Sequence, residues 1–125
     1  MLGIVFKIKK MSFQKELENR IDTAFSIFPK NITENFSKKR MFGGIAYLFH
    51  GKMTVGIIKG NLMVRILSDK IDHYLKLEYV KPMDFTNKPM KEFVYVSEDG
   101  FTTEEELQNW IELGLEHAQY KLKSS

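Results

Sequence analysis

Cysteine is absent from all 125 residues, which excludes a disulfide framework, a thiolate metal site and a cysteine nucleophile, and points to a reducing, cytoplasmic setting. Arginine is scarce: Arg20, Arg40 and Arg65 apart, the positive charge is lysine spread along the chain, the pattern of a solvated surface. Long hydrophobic runs are missing too. The apolar start Leu2-Gly3-Ile4-Val5-Phe6 is cut off by Lys7, Lys9 and Lys10, too short for a signal segment or a membrane span. A soluble protein without membrane association is expected. Internal repeats, low-complexity tracts and Gly/Ser linkers are also lacking.

What is present is ordinary globular usage, with 43% hydrophobic and 28% charged residues. A chain of this length fits one domain that buries roughly two thirds of its unfolded surface. The net charge of +3 and a pI near 9.0 permit weak attraction to phosphate without requiring it.

Met11 is a plausible alternative start, which would make residues 1–10 an extension; the segment 1–11 reads as an N-terminal extension or, from the alternation of Leu2, Ile4, Phe6 and Ile8, as an added edge strand. From Ser12, an available N-cap, Phe13, Leu17, Ile21, Ala24, Phe25 and Phe28 form a helical stripe that Pro29 stops. Lys30 to Lys39 reads as a connector with a short helical turn at most. Strands are predicted over 45–49, 53–58 and 62–67, joined at His50-Gly51 and Gly60-Asn61, so that they pair antiparallel in sequence order. A short helix follows from Ser68 or Asp69 to about Leu77, capped by Ser68. The proline-bracketed piece 82–89 should be irregular, and 90–96 is a fourth strand. The last helix is announced by two capping boxes, Thr102-x-x-Glu105 and Thr103-x-x-Glu106, and carries the stripe Leu107, Trp110, Ile111, Leu115, Ala118 and Leu122. Gly114 on the same side costs about 1 kcal/mol relative to alanine, which suggests a close helix-to-sheet approach. The fold class is α+β, two-layer: an antiparallel sheet, a β-meander plus at least one further strand, packed by helices.

Both faces of that sheet are apolar. Ile45, Tyr47, Phe49, Leu62, Val64 and Ile66 fall on one; Ala46, Leu48, His50, Met63, Arg65 and Leu67 on the other. A sheet covered on one side only shows cleaner alternation. The second face therefore needs a helix, a loop, a ligand or, the favoured answer, a second copy of the chain in a homodimer. Arg65, between Met63 and Leu67, wants a carboxylate, with Asp84 or Glu92 as candidates.

Nothing specifies a reaction. His50, His73 and His117 have no ligand-like spacing, so no metal or cofactor site is expected. Arg40-Met41-Phe42-Gly43-Gly44 lacks the context of a phosphate-cradling loop, and its glycines are better explained as shaping the entry to the first strand. The serines have no Gly-x-Ser-x-Gly frame. Glu104-Glu105-Glu106 and Asp69 with Asp72 open helices, where the dipole explains them. Lys91 and Tyr95 could face a groove from the fourth strand or simply solvent. Lys38-Lys39-Arg40, followed by the aromatics Phe42 and Tyr47, is the basic cluster best placed to touch phosphate or an acidic protein.

Taken in order, Lys39-Arg40-Met41-Phe42-Gly43-Gly44, Gly51-Lys52-Met53, Leu62-Met63-Val64-Arg65, Pro82-Met83-Asp84-Phe85, Pro89-Met90-Lys91-Glu92-Phe93-Val94-Tyr95-Val96 and Leu107-x-x-Trp110-Ile111 resemble the N-terminal domain of the TfoX (Sxy) family, over about residues 12–120. The domain boundaries expected are 12–122. The resemblance implies a small antiparallel sheet with helices on one side, similar to the secretion-chaperone-like fold, often dimeric. It also implies a stand-alone N-terminal domain, since the helical C-terminal domain of full-length members has no counterpart here. The family includes regulators of bacterial competence genes thought to act at promoters, and it offers no catalytic residues. The leading expectation is a non-catalytic, dimeric regulatory domain that binds another protein, with the transcription machinery as the candidate source of that partner. Alternatives are a nucleic-acid-binding module using Lys38, Lys39 and Arg40, and a small-ligand binder or enzyme using Arg40, Arg65, Asp84 and Tyr95.

Overall fold

Helix α1 spans Leu2–Ser26 and buries Leu17, Ile21, Ala24 and Phe25, the anticipated stripe. The computed structural model describes residues 2–41, 43–85 and 88–124. The alternation of Leu2 to Ile8 does not become a strand: the backbone there is already helical.

After the short helix α2 (Lys30–Thr33) come strands β1 (Phe36–Met41), β2 (Gly44–Phe49), β3 (Lys52–Ile58) and β4 (Asn61–Arg65). Helix α3 (Ser68–Leu75), strands β5 (Val80–Phe85) and β6 (Lys88–Val96), a 3-10 turn at Glu98–Gly100 and helix α4 (Glu104–Ser124) complete the chain. The six strands form one antiparallel sheet in the order β1-β2-β3-β4-β6-β5.

Two strands were not foreseen. The connector contains β1, whose residues Ser37 to Arg40 are all polar and exposed. Its first-face side chains meet carboxylates of α1 instead of the core, so no apolar alternation marks it. The proline-bracketed piece contains β5 and the start of β6. β5 is an edge strand, where the missing N–H of Pro82 need not break a ladder. Consequently Arg40 to Gly44 is not the entry to the first strand but part of the β1–β2 hairpin, with Met41 paired to Gly44 and Gly43 at φ 74°.

The meander register is as expected, with one irregularity. Tyr47 pairs with Val55 and Leu48 with Met53, leaving Thr54 as a bulge. The second hairpin turns at Lys59 and Gly60, both with positive φ, one residue earlier than read, so Asn61 opens β4.

The core lies between the first sheet face and the helices. Val55, Ile57, Leu62, Val64, Val94 and Val96 pack with Leu17 and Ile21 of α1 and with Leu107, Trp110 and Ile111 of α4. Burying each such aliphatic side chain contributes about 1.5–3 kcal/mol. Helix α4 starts with the Thr103-x-x-Glu106 box: the Glu106 N–H donates to Thr103 Oγ1 at 3.1 Å, and the Thr103 N–H to Glu106 Oε1 at 2.9 Å. The overlapping Thr102 box does not form, because the Thr102 hydroxyl also donates to Glu106. Nor does Ser68 cap α3, whose N-cap is Leu67; the Ser68 hydroxyl donates to Glu92 Oε2 at 2.7 Å instead.

Among the described residues no helix is long and apolar enough to cross a membrane.

Candidate functional site

Residues paired across an antiparallel ladder share a face, so the register defines the second face of the sheet. Ala46 is opposite Gly56, Gly56 opposite Met63, and Met63 opposite Tyr95. Lys39 joins this row from β1 and Lys81 from β5. In the middle is an apolar depression of about 200 Å³, walled by Met41, Met53, Ile58, Met63, Met83 and Phe93 among others. Its described lining residues all belong to strands, and no helical residue contributes among them. Gly56 deepens it, since a Cβ there would lie 2.7 Å from both the Ile45 carbonyl oxygen and Met63 Cε. Four methionines make this floor adaptable, because an unbranched thioether chain repacks against differently shaped apolar partners at low cost.

The two edges of the sheet are unsuited to strand addition. Exposed Lys38, Lys39 and Arg40 line β1, and Lys81 with Pro82 occupies β5; charged and proline-bearing edges discourage edge-to-edge pairing.

The residues singled out from sequence separate into different environments. Lys38 and Arg40 both turn to α1: Lys38 Nζ lies 2.6 Å from Glu18 Oε2 and 3.0 Å from Asp22 Oδ2, and Arg40 Nη2 lies 2.8 Å from Glu18 Oε2. The hydrogen bond from Lys38 holds the Glu18 carboxyl below the usual range, with Arg40 assisting against partial burial, and Glu18 in turn raises Lys38. The Tyr47 hydroxyl donates to Asp22 at 2.9 Å; burial and that carboxylate push it far above the normal phenol. Lys39 is on the opposite face, so the basic triplet is not one patch. Phe42 lies outside the described residues.

Arg65 stacks on its cross-strand partner Phe93, the guanidinium carbon 5.0 Å from the ring centroid, and its buried Nε has no hydrogen-bond partner among the described residues. The proposed pairing with Glu92 does not occur. Glu92 adopts φ 75°, which turns its side chain away to Ser68, to His117 Nε2 at 3.2 Å and to Lys121 at 3.8 Å. The side chain of Asp84 lies outside the described residues. Lys91 is exposed and Tyr95 half-buried; neither Arg40, Arg65 nor Tyr95 lines the apolar depression.

The cluster around His117 was missed by sequence reading. His117 is 0% exposed; its Nε2 lies 3.2 Å from Glu92 Oε1 but off full hydrogen-bond geometry, and its Nδ1 has no partner among the described residues. The only sequence signal was its place in the α4 stripe, three residues after Gly114. Burial lowers its pKa, Glu92 works against this, and the positive charges of Arg65 and Lys121 add to the lowering. Burial works to raise Glu92, but the Ser68 hydroxyl, His117 and Lys121 outweigh it and leave the carboxyl lowered.

Both shifts act on stability in one direction. A histidine depressed by folding stabilises fully above its unfolded value of about 6.5, and loses that contribution as pH falls through the folded value. The Glu92 contribution is present above the ordinary carboxylate value and is lost at still lower pH. Urea unfolding between pH 8 and 5 should therefore show stability falling with acidification, and His117→Gln should flatten the upper part of that fall. An unchanged slope in the variant would remove His117 as its source.

Among the described residues no group of histidine, aspartate and glutamate is arranged to hold a metal ion. The family model of the TfoX N-terminal domain matches residues 31–118, well over half of the 125-residue chain. The chain belongs to the TfoX N-terminal domain family. No curated protein matches it. The TfoX match begins in α2 and ends in α4, so it takes in the whole sheet, the methionine-lined depression and His117 with Glu92 and Ser68, while all of α1 precedes it and Lys121 follows it.

Proposed function

We propose that this TfoX N-terminal domain is a non-catalytic protein-binding domain of the cytoplasm, and that the second face of its sheet packs against a second copy of the chain. The observation that carries the reading is the methionine-lined depression, apolar, adaptable and lined by no helical residue among the described ones. The polar edges support face-to-face rather than edge-to-edge association. The polar clusters support a non-catalytic role: Lys38, Arg40, Glu18 and Asp22 satisfy one another, and Glu92 is committed to Ser68, His117 and Lys121. The family's competence regulators extend the reading to transcription-linked control, with a component of the transcription machinery as the protein bound.

Light scattering or sedimentation at about 10 μM, a concentration at which an association of micromolar Kd is visible, should give the mass of two chains. Met53→Glu and Ile58→Glu, at half-buried positions of the depression, should each give the mass of one chain with an unchanged circular dichroism spectrum. A wild-type mass of one chain, or variants that stay dimeric, would overturn the pairing.

A further inference from the structure

On the helical layer, away from the sheet's second face, a trough of about 600 Å³ runs between the end of α1 and the first half of α4. One wall is apolar: Ala24, Phe28 and Ile27. Ile27 is 72% exposed and is one of two large hydrophobic residues so exposed among the described ones, the other being Tyr120. The facing wall is polar and acidic: Glu104, Glu105, Gln108, Asn109 and Glu112 of α4.

Not all of these carboxylates are available. Glu104 is held by Arg20, whose Nε lies 2.7 Å away. Glu105 and Glu112 have no hydrogen bond or salt bridge among the described residues, although Lys70 and Glu116 pair in the neighbouring groove. Seven residues apart on one helix, Glu105 and Glu112 stand on the same side, about 10 Å apart along the axis. The trough thus offers an apolar wall with an exposed isoleucine at its rim, facing two unpaired negative charges at a two-turn spacing.

We infer that this trough is a docking groove for a basic amphipathic helix of a partner protein, whose apolar face covers Ile27, Phe28 and Ala24 and whose lysines or arginines, two turns apart, meet Glu105 and Glu112. The chemistry of the groove decides the occupant. An amphipathic helix laid in an apolar groove presents side chains at i, i+3, i+4 and i+7, and its flanking charges at i and i+7 repeat the Glu105–Glu112 distance. Nucleic acid and an anionic membrane would be repelled by the acidic wall, and an acidic helix likewise. The groove gives the proposed protein-binding role a second surface and a partner of stated charge. It does not depend on the sheet-face dimer, because none of its lining residues belongs to the sheet.

The test uses the full chain and fluorescence anisotropy of three labelled synthetic peptides: a leucine–lysine amphipathic helix, a scrambled peptide of the same composition, and the leucine–glutamate counterpart. The amphipathic lysine peptide should bind, and the scrambled and acidic peptides should bind at least about tenfold more weakly. Glu112→Lys and Ile27→Asp, both at exposed positions, should each weaken the lysine peptide about tenfold. Glu98→Lys, the same charge change at an exposed position outside the trough, should leave binding unchanged. Met53→Glu should also retain it, so that loss of the sheet-face dimer and loss of the groove are separately visible. Equal binding of the scrambled peptide, equal loss in Glu98→Lys and Glu112→Lys, or no binding by the wild type would each overturn the inference.

Discussion

Gly114→Val is expected to destabilise the domain by about 4 kcal/mol or more, a large share of the usual 5–15 kcal/mol of total stability. A Cβ at position 114 would lie 2.5 Å from the Thr54 carbonyl oxygen, 2.7 Å from its carbonyl carbon and 3.1 Å from its Cα. All three are backbone atoms, so no side chain can swing aside. Thr54 is the bulge residue of β3, held by its hydroxyl donating to the Tyr47 carbonyl at 2.9 Å, which fixes the strand where the helix meets it. Gly114→Ala separates the two effects. On a free helix alanine gains about 1 kcal/mol over glycine; here the clash should reverse the sign. Urea unfolding followed by circular dichroism reads both variants, and an alanine variant more stable than wild type would refute the close approach as the reason for this glycine.

Trp110→Ala should cost about 3–5 kcal/mol, the usual range for removing a large buried aromatic side chain. Trp110 is 5% exposed and belongs to the main core. Its ring centroid is 5.4 Å from that of Tyr74, which ties α4 to α3, and its Nε1–H donates to the Gly100 carbonyl at 2.8 Å. Gly100 is itself enclosed: a Cβ there would fall 2.5 Å from Tyr79 and Val96 side-chain atoms. Trp110→Phe keeps most of the ring but leaves that carbonyl without its donor, a loss of about 1–3 kcal/mol. The order wild type, Phe, Ala in denaturant midpoint is the expected result. An alanine variant within about 1 kcal/mol of wild type would mean that the site collapses without a cavity.

Much of this architecture is legible in the chain because hydrophobic periodicity and turn chemistry agree there. The α4 stripe, its Thr103–Glu106 box, the meander and the two apolar faces all appear where the pattern puts them. The failures share a cause. β1 is written in Ser37-Lys38-Lys39-Arg40, and its first-face side chains are satisfied by Glu18 and Asp22, residues some twenty positions away that no local pattern connects. β5 contains Pro82, which reads as a strand breaker unless the strand is known to be an edge. Among the candidate site residues, Lys38, Lys39 and Arg40 look like one basic patch in sequence, but strand alternation sends Lys39 to the other face.

The sequence by itself determined the fold class, the family, the close approach at Gly114 and the presence of a second apolar sheet face, since each rests on spacing along the chain or on a residue's intrinsic conformational preference. Only the tertiary structure decided which charges are free. Glu92 turns from Arg65 to His117 because its backbone takes a positive φ, Arg40 is drawn to Glu18 because α1 crosses beside β1, and Glu105 and Glu112 stay unpaired because no cation among the described residues is packed against them. Pairing of charges depends on distances between elements remote in sequence, and those distances exist only once the core has closed.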